Sequence, residues 1–253
     1  MALALARPRR ISVTGWLRAA IRIACMALLL LVCVSLFYVH RLFSRHNPWP
    51  RVFLAGVAWI AGVDLAFKGS KAAGRVFLLA NHVSWIDIPA LAAASGTAFV
   101  GHDGLASMPV LKWLCKMADT VFVARHDRAS VAQQVEDVRT ALSDTGALAI
   151  FPEGTTSDGT GLLPFKSSLL SAFEPLPPGI TIQPVLLHYG PEAAQIAWVG
   201  EEHGLDNFLR ILARGRPVRI EVRFLPPLTG AALENRKTIA QAAREAILRE
   251  LTS

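Results

Sequence analysis

His82 and Asp87 stand five positions apart in Asn81-His82-Val83-Ser84-Trp85-Ile86-Asp87, directly behind the apolar run 76–80. An imidazole titrates near neutral pH and can take the proton of an alcohol. It does so best when a buried carboxylate fixes its tautomer and steadies the imidazolium. The pair therefore points to positioned base catalysis, worth about 10²–10⁴-fold in rate. On spacing alone, Asp87 as a plain helix cap and His82 as a satisfied loop histidine is the more frequent reading. Further along, a second apolar run, 147–151, opens into Pro152-Glu153-Gly154-Thr155-Thr156-Ser157-Asp158-Gly159.

Both polar clusters follow short buried runs, so each is expected where a strand feeds a turn. On a regular helix five residues span about one and a half turns, and the side chains of His82 and Asp87 would diverge. They meet only if His82 lies in the loop and Asp87 reaches back from the first helical turn. Pro89 suits that turn, because its missing N–H is tolerated there. Exposed N–H groups at such a helix start are expected to hold a developing oxyanion. Ser84 lacks a Gly-x-Ser-x-Gly elbow and is expected to cap the helix. No second His at helical spacing and no Cys cluster points to zinc.

Together the two clusters resemble the glycerolipid acyltransferases of the lysophosphatidic acid acyltransferase type, which carry an Asn-His-(four residues)-Asp block and a Phe-Pro-Glu-Gly-Thr block. Two further blocks have counterparts in Thr120-Val121-Phe122-Val123-Ala124-Arg125 and Ile182-Gln183-Pro184-Val185. The resemblance runs over roughly residues 70 to 190. It implies an acyl thioester donor, acyl-CoA or acyl carrier protein, and a lysolipid hydroxyl as acceptor. His82 would be the general base and Asp87 its orienting acid, with no metal, no cofactor and no covalent acyl-enzyme. Arg125, Glu153 and Gly154 would bind and place the acceptor, and Pro184 would line the site. Asn81, Thr155, Thr156 and Lys166 complete the candidate binding set.

One departure bears on the headgroup. Relatives acting on a phosphate monoester usually carry Arg where this chain has Thr156. Loss of a charge-assisted contact to phosphate removes about 1.5–3 kcal/mol. Lysophosphatidate is the family default, whereas a lyso-ornithine lipid or a lysophospholipid with a substituted phosphate fits the Thr. A membrane-bound thioesterase or lipid hydrolase using the same base on water is the competing activity. A noncatalytic lipid-binding scaffold is the third reading.

The formal charge of +7 is unevenly placed. Residues 1–75 hold eleven Lys/Arg against the single acid Asp64, while residues 76–253 hold fifteen against eighteen acids. Basicity confined to the N-terminal segment suits anionic lipid headgroups and not nucleic acid. The uncharged apolar run 23–39 would form a helix of about 25 Å, against a hydrocarbon core of about 30 Å. A shorter run, 52–63, follows the breaker Asn47-Pro48-Trp49-Pro50. Arg residues flank the first run on both sides, so a helical hairpin dipping into the cytoplasmic leaflet is expected in preference to one crossing. No small-x-small site follows Val39, which argues against a cleaved signal peptide. Cys25, Cys33 and Cys115 suggest packing roles in a reducing compartment.

These features predict a basic membrane-anchoring segment over 1–70, attached at the cytoplasmic face of the inner membrane, and a catalytic domain over 71–253. Strands are predicted at 76–80, 97–101, 120–124, 147–151, 180–187, 194–199 and 217–224. Helices are predicted at 84–94, 108–118, 127–143, 166–174, 205–213 and 233–251. Buried runs alternating with helices give an α/β fold, a mixed, partly parallel sheet covered by helices, behind an N-terminal membrane-embedded helical segment. His82, Arg125 and Glu153 each follow a predicted strand and can converge beyond the carboxyl ends of the sheet.

Overall fold

A computed structural model describes residues 11–44, 47–102, 113, 117, 120–123, 131–174 and 176–252. Two all-apolar segments set its centre. Strands β2 (Arg75–Ala80) and β5 (Ala147–Ile150) pair in parallel, and only Arg75 among their residues is exposed. Such runs have no polar face, so they can sit only inside a sheet covered on both sides. Their side chains alternate between two cores: Val76, Leu78 and Ala80 join one, and Phe77 and Leu79 the other.

Around this pair the sheet adds β1 (Val63–Lys68), β3 (Ala98–His102), β4 (Val121–Val123), β6 (Ile180–His188) and β7 (Val218–Phe224) in the order β1-β7-β6-β2-β5-β3-β4. Strands β6, β2, β5, β3 and β4 run parallel, while β7 is antiparallel to β6 and carries β1 with it. The parallel set therefore ends on one edge, where the loops after β2, β5 and β6 meet. In β7, Val218, Ile220 and Val222 are buried while Arg219 is exposed, the one-wet-face pattern read from sequence.

The helices are α1 (Val13–Arg41), α2 (Trp49–Ala61), α3 (Asp87–Ser95), α4 (Val131–Thr145), α5 (Ala193–Ile196), α6 (Gly204–Leu212) and α7 (Arg236–Leu251). Helix α1 has 29 residues and is long and apolar enough to cross a membrane by length and composition. It pairs with α2 in an antiparallel hairpin: the Asn47 amide donates to the Phe37 carbonyl at 3.0 Å, and Gly56 lies against Leu29. At the hairpin's base, Arg18 donates to the Ala213 carbonyl at 2.8 Å and Arg22 to the Leu212 carbonyl at 2.9 Å. These carbonyls end α6, where cations and N–H donors satisfy otherwise orphaned groups. Ala19 is buried in the main core, so the foot of α1 is built into the domain. Beyond it Leu28, Leu31, Leu42 and Phe43 are exposed, as is Trp59 on α2.

The elements depart from the sequence expectation at several places. The predicted strand 194–199 instead forms α5 and an extended exit. Its Ala193 and Ile196 are buried three positions apart, a helical spacing that the short apolar run concealed. Strand β1 lies inside the 1–70 segment and pairs with β7, so that segment and the rest of the chain share one sheet. Its first residue continues the apolar run 52–63, and the break falls at Gly62, whose left-handed φ of 82° ends α2. The predicted helix 166–174 is a 3-10 helix over Ser167–Phe173. Of the predicted helix 108–118, only Trp113 and Met117 are among the described residues, and both are helical.

Candidate active site

Helix α3 begins at Asp87 and not at Ser84, so the three residues before it stay in a turn and the Asp87 carboxylate can face back along the chain. Its Oδ2 accepts from the Val83 N–H at 2.6 Å, the Ser84 N–H at 2.9 Å and His82 Nδ1 at 2.7 Å. Capping of the turn and orientation of the imidazole are thus one arrangement and not two alternatives. Asp87 is fully buried, and its Oδ1 accepts from the Tyr189 hydroxyl. With Nδ1 bound to an acceptor-only carboxylate, Nδ1 carries the hydrogen and Nε2 is left as the basic atom. The His82 side chain keeps 17% of its surface open, and its ring stacks on Phe151 with centroids 4.2 Å apart.

The loop after β5 holds the backbone of His82 from both sides. Glu153 Oε1 accepts from the His82 N–H at 2.8 Å, while Ser157 donates to the His82 carbonyl through its N–H at 2.7 Å and its hydroxyl at 3.1 Å. The second Glu153 oxygen accepts from the Leu163 N–H at 2.8 Å. Glu153 is fully buried, and that burial raises its carboxyl above the usual range, against the pull of its two N–H donors and of His82. The negative charge of nearby Asp87 adds to the rise.

The other candidate residues serve different parts of the fold. Asn81 is buried, its amide donating to the Leu187 carbonyl at 3.1 Å and accepting from the Leu187 N–H at 2.7 Å, which stitches the end of β2 to β6. Gly154 turns the chain with a φ of 69°. Pro184 is buried inside β6 opposite Leu79. Thr155 and Lys166 are exposed, and the Lys166 N–H donates to the Pro152 carbonyl at 2.8 Å. The Thr156 hydroxyl donates to the Trp198 carbonyl, so it is engaged within the fold. Arg125 lies outside the described residues.

Two expectations are overturned by geometry. The first N–H groups of α3 turn inward, Asp87 to the Ser84 carbonyl at 3.1 Å and Ile88 to the Trp85 carbonyl at 3.3 Å, so they do not form an oxyanion site. The Ser84 hydroxyl does not cap α3, because it donates to Asn207 Oδ1 at 3.0 Å. Asn207 is itself held by the Ala197 carbonyl and Glu202, and Glu202 by Arg210. Ser157, Tyr189 and Asn207 were missed because each acts across a tertiary contact. The one sequence cue was Tyr189's place just past the Pro184 strand.

The family described as "Acyltransferase" matches residues 65–188, which span β1 through β6 and contain the whole His82–Asp87–Glu153 arrangement. A lyso-ornithine lipid O-acyltransferase of Rhodobacter capsulatus is 34% identical over 91% of this chain and 88% of its own. Another of that name, from Rhizobium meliloti, is 30% identical over 94% and 87%. A 1-acyl-sn-glycerol-3-phosphate acyltransferase of Neisseria gonorrhoeae is 29% identical over 78% of both chains. In fold, the crystal structure of the 1-acyl-sn-glycerophosphate acyltransferase of Thermotoga maritima is similar with a TM-score of 0.63, covering 93% of this chain and 96% of that one at 16% identity. Similarity that runs through nearly the full length and carries the block holding His82 and Asp87 makes this chain a member of the acyltransferase family, an O-acyltransferase of lysolipids.

Proposed function

We propose that the protein moves a fatty acyl group from acyl-CoA or acyl carrier protein to the hydroxyl of lyso-ornithine lipid, at the cytoplasmic face of the membrane. The observation that carries this is the fixed His82–Asp87 pair, with Nδ1 held at 2.7 Å and Nε2 left to act. In this reading Nε2 takes the hydroxyl proton as the oxygen attacks the thioester carbonyl. Asp87 steadies the imidazolium while the tetrahedral intermediate forms. Collapse breaks the carbon–sulfur bond, and the imidazolium returns its proton to the departing thiolate. No acyl-enzyme is needed.

Three observations support the acceptor and the location. Relatives from Rhodobacter capsulatus, Rhizobium meliloti and Brucella abortus bear the lyso-ornithine name and match about nine-tenths of this chain. Thr156 stands where the family resemblance expects a cation for a phosphate monoester, and its hydroxyl ties the loop to Trp198. The α1–α2 hairpin presents exposed Leu31, Leu42, Phe43 and Trp59 on a basic N-terminal segment, a surface suited to anionic lipid.

The test supplies labelled acyl thioester to purified protein with lyso-ornithine lipid, with 1-acylglycerol 3-phosphate, and with neither. Labelled diacyl product is expected mainly with lyso-ornithine lipid. Free fatty acid released at one rate in all three would mean a hydrolase. Thr156→Arg restores a phosphate-binding cation and is expected to move the kcat/KM ratio towards the phosphomonoester by about 10- to 100-fold. An unchanged acceptor ranking in that variant would remove the argument from Thr156.

A further inference from the structure

Four hydrogen bonds converge on the Asp87 carboxylate, and they are unequally shared. Three donors, the Val83 and Ser84 N–H groups and His82 Nδ1, crowd onto Oδ2. Among the described residues a single donor, the Tyr189 hydroxyl, holds Oδ1. Tyr189 follows β6 and comes from 102 residues away in sequence, yet only 4% of its surface is open. A buried phenol that meets a buried carboxylate without a cation must stay protonated, so Tyr189 is fixed as a donor. Burial first and the Asp87 charge second raise its hydroxyl well above the usual range, which is consistent with that role.

We infer that Tyr189 is a positioning residue that sets how strongly Asp87 can hold the protonated His82. Its bond fixes the plane of the carboxylate, so that Oδ2 keeps facing the imidazole. It also draws charge from the carboxylate and tempers the pull on the imidazolium. Without that donation the proton taken from the acceptor hydroxyl would be held too firmly and returned too slowly to the leaving thiolate. The bond thus balances the two proton transfers that one imidazole must perform.

Among the described residues, few other charges reach this pair. Glu153 lies on the backbone side of His82 and is common to every variant below. From α6 the neighbour is neutral Asn207, with Glu202 and Arg210 paired behind it. From the α2 side, Arg51 and Lys71 are tied to the carbonyls of Thr145 and Ser95, at the far end of α3.

The chain has two tyrosines, and the other, Tyr38, is half exposed on α1. This allows a paired test. Tyr189→Phe removes the donor. A Tyr38→Phe chain grown on 3-fluorotyrosine carries a stronger donor at position 189 alone. Losing the donor is expected to move the acidic limb of the kcat/KM–pH profile up by about one pH unit. It should also lower kcat about tenfold, with KM for lysolipid little changed. The fluorinated protein is expected to move the same limb down, with a fluorine resonance that titrates along that limb. A purely structural role would leave both limbs in place, and that result overturns the assignment. Should Tyr189→Phe fail to fold, the fluorinated protein decides alone.

The inference rests on His82 being the base, and His82→Ala separates the two failures. An inactive His82→Ala protein, together with unmoved limbs in the two Tyr189 proteins, sinks the role of Tyr189 only. An active one sinks the base and Tyr189 with it.

Discussion

Replacing His82 by Ala is expected to lower kcat for acyl transfer by about 10²–10⁴-fold, with KM for the lysolipid changing far less. In the proposed reaction the ring is the base, and the backbone of residue 82 remains held by Glu153 and Ser157 when the ring is gone. Asp87→Asn is expected to lose less, about 10- to 100-fold, for a reason specific to this site. The Val83 and Ser84 N–H groups require an oxygen at the Oδ2 position. The amide oxygen therefore stays there, the nitrogen faces the Tyr189 hydroxyl, and the His82 tautomer survives. Only the charge that steadies the imidazolium is removed. Because the two residues act as a unit, the double variant is expected to be no slower than His82→Ala alone. Single-turnover rates on labelled thioester check all three proteins. A fully additive double variant would mean that Asp87 works independently of His82.

The His82–Asp87 pair was legible because its requirements are local. Five residues and a strand end sufficed to say that the pair could meet only with His82 in the loop. The central sheet was legible for a similar reason, since 76–80 and 147–151 have no polar face to expose. What the sequence could not show is how Glu153 works. The family resemblance implies a ligand for the acceptor, whereas both Glu153 oxygens accept from backbone N–H groups, those of His82 and Leu163. Thr156 follows the same pattern, because its hydroxyl serves Trp198. Polar residues of the second block thus hold the first block in place, and that division of labour exists only after β2 and β5 are paired. Strand β1 and helix α5 were hidden by short apolar runs whose period is ambiguous.

If Glu153 holds the base and does not bind the acceptor, its removal is expected to act on kcat more than on KM. Glu153→Ala frees the His82 N–H and lets the loop drift. A displacement on the scale of 1 Å at a reacting group is worth about 10²-fold, and a loss of that order in kcat is the expected result. Ser157→Ala should do little by comparison, because the Ser157 N–H still donates to the His82 carbonyl at 2.7 Å. Glu153→Gln is the more discriminating variant. One of its two terminal atoms is a donor, so either the His82 or the Leu163 N–H is left unpaired, at about 1–3 kcal/mol. It also removes a titration. Burial holds the Glu153 carboxyl above its ordinary value. The folded chain therefore binds that proton more tightly than the unfolded chain does. By linkage, the Glu153 contribution to stability is greatest below the unfolded value and falls as pH rises to the folded one. Melting temperatures compared over that interval should show wild type losing ground to Glu153→Gln as pH increases. Glu202 and Glu250 carry depressed values and pull the opposite way, but they are common to both proteins and cancel in the difference. A difference that is flat with pH would mean Glu153 is as easily ionised folded as unfolded, and its place as a buried clamp behind His82 would have to be given up.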